Sequence, residues 1–341
     1  MARRPSNRSR IEQLTDEFEP QMRAAFLDAV ADITSRAELG RIVERLEKGD
    51  IAGAVEAVHL DPAAYSALDR TITSAFDAGG RSAIGALPKL RDPSGGEFIV
   101  RWDARNLRAE TWLRQHSSTL ITRITDDQRN AVRRALVEGM EAGRNPRATA
   151  LDVIGRINRA TGRRTGGIVG LTSQLSTTVE KARAAMISGD VDGMRAYLSL
   201  GLRDHRFDAS VRKAIAAGKP VPQDLVPKIT GRLTDRYLDL RGKAIAKTET
   251  MAALNQSGVE AMYQAIDAGA VKVETVTKVW HTARDPRVRD SHAALDRESV
   301  GIGAAFSNGL AYPGDPSAPA SETVNCRCWM ETKIDFFAGY R

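Results

Sequence analysis

The chain has 341 residues, 42% of them hydrophobic and 27% charged, a globular balance that excludes wholesale disorder and suggests two or three domains. Aromatics make up only 5%, so long helices are expected rather than a sandwich or barrel. The net charge of +7 is uneven: residues 155–247 hold 18 Lys and Arg against 8 Asp and Glu, a local +10 that leaves the remainder near −3.

The opening MARRPSNRSR is basic and no apolar h-region follows it, so it reads as a mobile arm rather than a secretory signal. Ile11 to Ile33 places Ile11, Leu14, Phe18, Met22, Phe26, Val30 and Ile33 on one helical face. Leu39 to Val58 repeats that pattern until His59-Leu60-Asp61-Pro62 breaks it, with Asp61 as an N-cap and Pro62 at the first helical position. Arg91-Asp92-Pro93-Ser94-Gly95-Gly96 signals a loop, and Phe98 to Trp102 a short strand or extended connector. Asp103 to Gly139 returns to helical spacing.

Gly155 to Gly167 is rich in glycine and arginine. It lacks Gly-Lys-Ser/Thr and no apolar strand leads into it, so a phosphate loop is excluded and a flexible basic turn between helices is expected. Arg156, Arg159, Arg163 and Arg164 make it a candidate contact for double-stranded DNA; solvated helix faces would carry the same charge. Ala246 to Ile266 is a further helix stopped by Gly269. Val271 to His281 then alternates in the manner of a strand. Val271, Val273, Thr275, Thr277, Val279 and His281 share one face, with Lys272, Glu274 and Lys278 opposite. The expected architecture is mainly α with a small α+β C-terminal domain: a helical region over 1–150, a basic helical region over 151–270 and the α+β domain over 271–341. No apolar run approaches the roughly 20 residues of a membrane helix, so no membrane contact is expected.

The motifs concentrate near the C-terminus. A Trp-led strand at Trp280 is followed by Asp285-Pro286-Arg287-Val288-Arg289-Asp290-Ser291-His292. Then come Pro313-Gly314-Asp315-Pro316 and the closing Asn325-Cys326-Arg327-Cys328. Ile245 to Thr250, with Asn255 beyond, leads in. In this order the pieces resemble the Mu F-like minor head morphogenesis proteins of tailed bacteriophages, from about Arg241 to Trp329. The chain departs from the family at Arg297, where the family often has glycine after Leu-Asp. The resemblance implies a minor capsid protein assembled in the host cytoplasm and resident in the head interior of the virion. Its implied partners are portal protein, major capsid or scaffold protein and packaged DNA. It implies an assembly component, not an enzyme.

Read without the family, Asp285-Pro286 starts a short helix with Val288, Ser291, His292 and Leu295 on one side. Cys326 and Cys328 alternate with Arg327 on a strand, so both sulfurs leave one face; they are the only cysteines, and a disulfide framework is excluded. A bridge between i and i+2 would be strained, and a reducing compartment is expected. His281, His292, Cys326 and Cys328 would suit a closed, structural Zn2+, with Asp285 or Asp315 in place of His281 as a variant. Two buried, inert thiols beside a hydrogen-bonded histidine are the competing reading. Arg284, Arg287, Arg289 and Arg327 would pair with Asp285, Asp290, Asp296 and Asp315, or face DNA or an acidic partner. The alternative function is a hydrolase or nuclease built on a Cys326–His292 pair. The thiols lack a helix N-terminus to lower their pKa.

Overall fold

The computed structural model describes residues 6–91 and 95–335. It is mainly α, with short strands, and its larger sheet lies near the C-terminus. The chain separates into two compact units that interleave along the sequence. The first contains the described residues up to Ala25, Ala67–Thr119 and those from Lys243 onwards; the second contains Phe26–Ser66 and Leu120–Gly242.

Helix α1 (Asn7–Arg36) buries Phe18, Met22, Phe26, Val30 and Ile33, the face expected from the spacing. It takes in Asn7 to Arg10 of the expected arm; residues 1–5 lie outside the described residues. Leu39 to Val58 forms two helices, α2 (Leu39–Glu47) and α3 (Ile51–Glu56), not one run. Gly49 between them has φ +73°, and Asp50 caps α3 by accepting from Gly53 N at 2.8 Å. Asp61 accepts from Ala63 N at 2.9 Å and opens a 3-10 turn, Pro62–Tyr65, which leads into α4 (Ser66–Ala86).

Strands β1 (Leu90–Arg91) and β2 (Glu97–Phe98) pair antiparallel across the expected loop, of which residues 92–94 lie outside the described residues. Ile99 to Trp102 is a connector. Trp102 donates to Asp77 at 2.8 Å and packs on Phe76. Helix α5 (Leu107–Glu141) follows, and Asn145 caps α6 (Pro146–Ile154).

The glycine-rich segment turns back on itself as a hairpin: β3 (Arg156–Ile157) pairs with β4 (Arg164–Thr165). Gly166, at φ +75°, needs its missing Cβ, because a methyl there would stand 2.8 Å from Gly231 Cα. Helices α7 (Ser173–Ser188), α8 (Val191–Ser199) and α9 (Asp208–Ala217) complete the second unit with the first part of α10 (Val226–Asp267). Helix α10 starts 20 residues before the helix expected from Ala246, and Gly269 follows its end at φ +70°.

The C-terminal sheet has the order β6-β5-β7, from β5 (Val276–His281), β6 (Ser299–Gly301) and β7 (Trp329–Ile334), all antiparallel neighbours. Strand β5 is shorter than expected, since Val273–Thr275 forms a 3-10 turn. Val276, Lys278 and Trp280 on one of its faces are buried in succession, and Val279 on the other is buried as well. A period of two assigns alternate residues to opposite faces but does not say which face is covered. Lys278 is the surprise. Its ammonium donates to Ala311 O at 2.6 Å and sits 5.4 Å from the Phe306 ring, and burial lowers its pKa against the pull of Asp315.

Candidate metal centre

Helix α10 supplies the platform of the first unit's site. Asn255, on its buried face, donates to Pro313 O at 2.9 Å and Cys328 O at 3.4 Å, and accepts from Met330 N at 2.9 Å. One amide therefore ties the Pro-Gly-Asp-Pro turn to the start of β7. Gly314, at φ +83°, lets the turn lie against the helix, because a Cβ there would come within 3.3 Å of Ala252 backbone. Asp315 closes the turn by accepting from Ala311 N at 2.9 Å, Ser317 N at 2.9 Å and Ser317 Oγ at 2.7 Å. Asn325, at φ +58°, donates its N–H to Thr248 Oγ1 on the same helix at 3.1 Å. Asn255 was legible only as part of the motif lead-in; its role needs the tertiary contacts.

Residues 285–289 do not form the expected helix. Asp285 makes an Asx turn, accepting from Arg287 N at 2.9 Å, and helix α11 (Asp290–Ala293) begins four residues after Pro286. Both Asp285 oxygens also take Arg327 in a bidentate pair at 2.5 and 2.6 Å, which with the Arg287 N–H lowers the Asp285 pKa to about 2. Arg284 pairs with Asp296 at 3.0 Å, while Arg289 donates to Val324 O at 2.5 Å. Arg297 has φ +71° and donates its N–H to Trp280 O at 2.8 Å. The position is thus a left-handed one, where glycine is easiest to accommodate and which this chain fills with a side chain.

These loops bring three of the four proposed ligands together. His292 Nδ1 lies 3.5 Å from both Cys326 Sγ and Cys328 Sγ, and all three side chains are almost wholly buried. The two cysteines precede β7 rather than lying on it, yet their sulfurs face one point. On the far edge of the imidazole, Nε2 meets Glu322 Oε2 at 2.9 Å. An Nε2–H donated to that carboxylate leaves the Nδ1 lone pair aimed at the sulfurs, the arrangement that orients a metal-bound histidine. Zinc bond lengths of about 2.3 Å to sulfur and 2.0 Å to nitrogen place tetrahedral S and N ligands about 3.6 Å apart, which the observed spacing matches.

His281 is not part of this group. It follows Trp280 on β5, so when the indole faces the cysteines the imidazole faces away. There it stacks on Trp329 at 4.2 Å and meets Glu331 at 3.2 Å. Nor do Asp285 and Asp315 join: among the described residues the ligand group comprises His292, Cys326 and Cys328.

The sulfurs titrate as a pair. Their mutual contact holds one proton between them, lowering Cys326 and raising Cys328, and the separate hydrogen bond between His292 and Cys326 raises His292. Trp280 Nε1, fully buried, lacks a hydrogen bond of good geometry but lies close enough to Cys328 to favour its thiolate. These residues fit a cation: two sulfurs and one nitrogen converge, and a buried N–H waits on a negative sulfur. A thiol nucleophile would use the same Cys–His contact, but it would need exposure that neither sulfur has.

The four arginines of the hairpin divide. Arg156 pairs with Asp152 at 2.8 Å and Arg164 donates to Gly155 O at 3.0 Å, so both are half-buried and serve the second unit. Arg159 and Arg163 are exposed, and Arg163 stands 3.4 Å from Asp28. Other arginines of the basic segment are exposed as well: Arg206, Arg212 and Arg232, arrayed about the buried carboxylates of Asp204 and Asp208.

No helix among the described residues is long and apolar enough to cross a membrane. No curated protein and no solved structure matches the chain. Residues 205–331 match the family model described as phage Mu protein F like protein, a span that contains the whole motif series from Thr248 to Trp329. Over that span the chain is similar to the phage Mu protein F like family.

Proposed function

We propose that this chain is a minor head protein of a tailed bacteriophage, bound to the portal protein and facing the capsid interior, where it contacts packaged DNA. The family match over residues 205–331 carries the reading. A site built from buried ligands and loop clamps suits a rigid assembly module better than a turnover centre, because it offers no open cleft at the sulfurs. In the purified protein His292, Cys326 and Cys328 hold zinc, which staples loops that have little regular structure of their own. The expected partners are portal and major capsid or scaffold protein, and the expected place is the virion.

Co-expression with the portal protein of the same phage tests the assembly role. A stable complex recovered on a tagged portal is the expected result. Portal recovered without this chain, with both proteins folded, overturns it.

The DNA contact rests on the exposed guanidiniums of Arg159, Arg163, Arg206, Arg212 and Arg232. If about four phosphates are neutralised, affinity for a mixed-sequence duplex falls roughly 100-fold between about 50 and 200 mM salt. Fluorescence anisotropy across that range measures the slope. A salt-independent affinity would remove the phosphate account.

A further inference from the structure

We infer that the metal held by His292, Cys326 and Cys328 keeps its fourth coordination position for a water-sized ligand from solvent, and that the surrounding arginines select an anion for it. This rests on the zinc reading above and changes its character: three protein ligands leave an open position, whereas a closed structural site uses four.

The nearby histidine and carboxylates that could supply a fourth protein ligand, His281, Asp285, Asp315 and Glu322, are engaged elsewhere. His281 is on the opposite face of β5 and bonded to Glu331. Both oxygens of Asp285 take Arg327. Asp315 is saturated by Ala311 and Ser317. Glu322 spends Oε2 on His292 Nε2 at 2.9 Å and Ser291 Oγ at 3.1 Å. That carboxylate sits behind the imidazole, where it orients the ligand and cannot also coordinate.

What does face the sulfurs is a small cavity of about 10 Å3, walled by the three ligands together with Arg287, Arg289 and Arg327. That is close to the least volume that holds one water, and far too small for a substrate or a peptide side chain. The charge around it is positive. A divalent cation with two thiolates is neutral; against the three guanidiniums stand Asp285, paired with Arg327 and near Arg287, and Glu322 behind the imidazole, which leaves a surplus of one positive charge among these groups. A hydroxide or a small monovalent anion at the fourth position meets that surplus, and a neutral ligand does not.

Cobalt(II) in place of zinc gives visible absorption that reports its ligands. The full-length protein is loaded with Co2+, its stoichiometry measured, and fluoride, an anion about the size of water, added while the spectrum is followed. One cobalt per chain and a saturable spectral change with fluoride are expected. Arg287→Gln should retain the cobalt and weaken fluoride binding several-fold, and His281→Ala should leave the cobalt spectrum as in the parent. Cobalt bound at one per chain with a spectrum indifferent to fluoride would overturn the open position while leaving the metal reading intact. A spectrum altered by His281→Ala would overturn it as well, by supplying a fourth protein ligand. Failure to bind cobalt or zinc at all would instead remove the metal reading on which the inference stands.

Discussion

Trp280→Ala is expected to destabilise the first unit by about 3–5 kcal/mol, the range for deleting a fully buried large aromatic. Trp280 is 0% exposed and the largest of the fully buried side chains. Its ring meets His292 and Phe306 edge-on, each at 5.2 Å between centroids, and it packs with Leu295, Leu310 and both cysteines. Alanine would leave a cavity beside the imidazole and free its orientation, so metal affinity should fall together with stability. Urea denaturation followed by far-UV circular dichroism, with zinc content measured in parallel, checks both. A loss below about 1 kcal/mol would mean that the pocket collapses around the smaller residue, and that the indole is not what holds the site.

Arg183→Met should cost the second unit about 3 kcal/mol, because removing one partner of a buried ion pair strands the others. Arg183 is 2% exposed; it pairs with Glu180, lies 3.4 Å from Asp152 and donates to Thr230 Oγ1 at 3.4 Å. Arg144 also reaches both carboxylates, which places the expected loss at the lower end of the range for such pairs. The control is Arg183→Met with Glu180→Leu. If stranded charge is the cause, the double variant recovers part of the loss in a denaturation midpoint. A double variant as unstable as the sum of the singles would assign the loss to packing instead.

This cluster also bears on the basic segment. Counted along the sequence, that segment carries +10. The fold withdraws much of it: Arg183 and Arg241 are buried, Arg156 and Arg164 hold the hairpin, and Arg203 grips Asp208 at 3.0 Å. Composition counts charges without regard to depth. The exposed remainder is what a polyanion would meet.

The helices were legible in proportion to their periodicity. The spacing of Phe18, Met22, Phe26, Val30 and Ile33 marked the buried face of α1, because a half-buried helix must place its apolar residues three and four apart. The Asp61-Pro62 start and the Gly269 stop were also written locally, in side-chain capping and backbone freedom. The break at Gly49 was equally local and was overridden by the apolar pattern around it. The motifs from Trp280 to Cys328 named the family region and three residues of the metal group, since residue type and order suffice for that.

The tertiary structure decided which face of β5 is covered, and with it the fate of His281 and Lys278. A two-residue period is symmetric between faces, and only the loops carrying Phe306, Leu310 and the cysteines break the symmetry. It also decided that Asn255 should clamp two segments 58 and 73 residues away, and that Glu322 should stand behind His292. Those partners lie far apart in the chain and have no mutual spacing to read. Ligand identity is a property of residues, whereas ligand number depends on where the loops close. The sequence therefore determined the donors, and the fold determined that three of them meet.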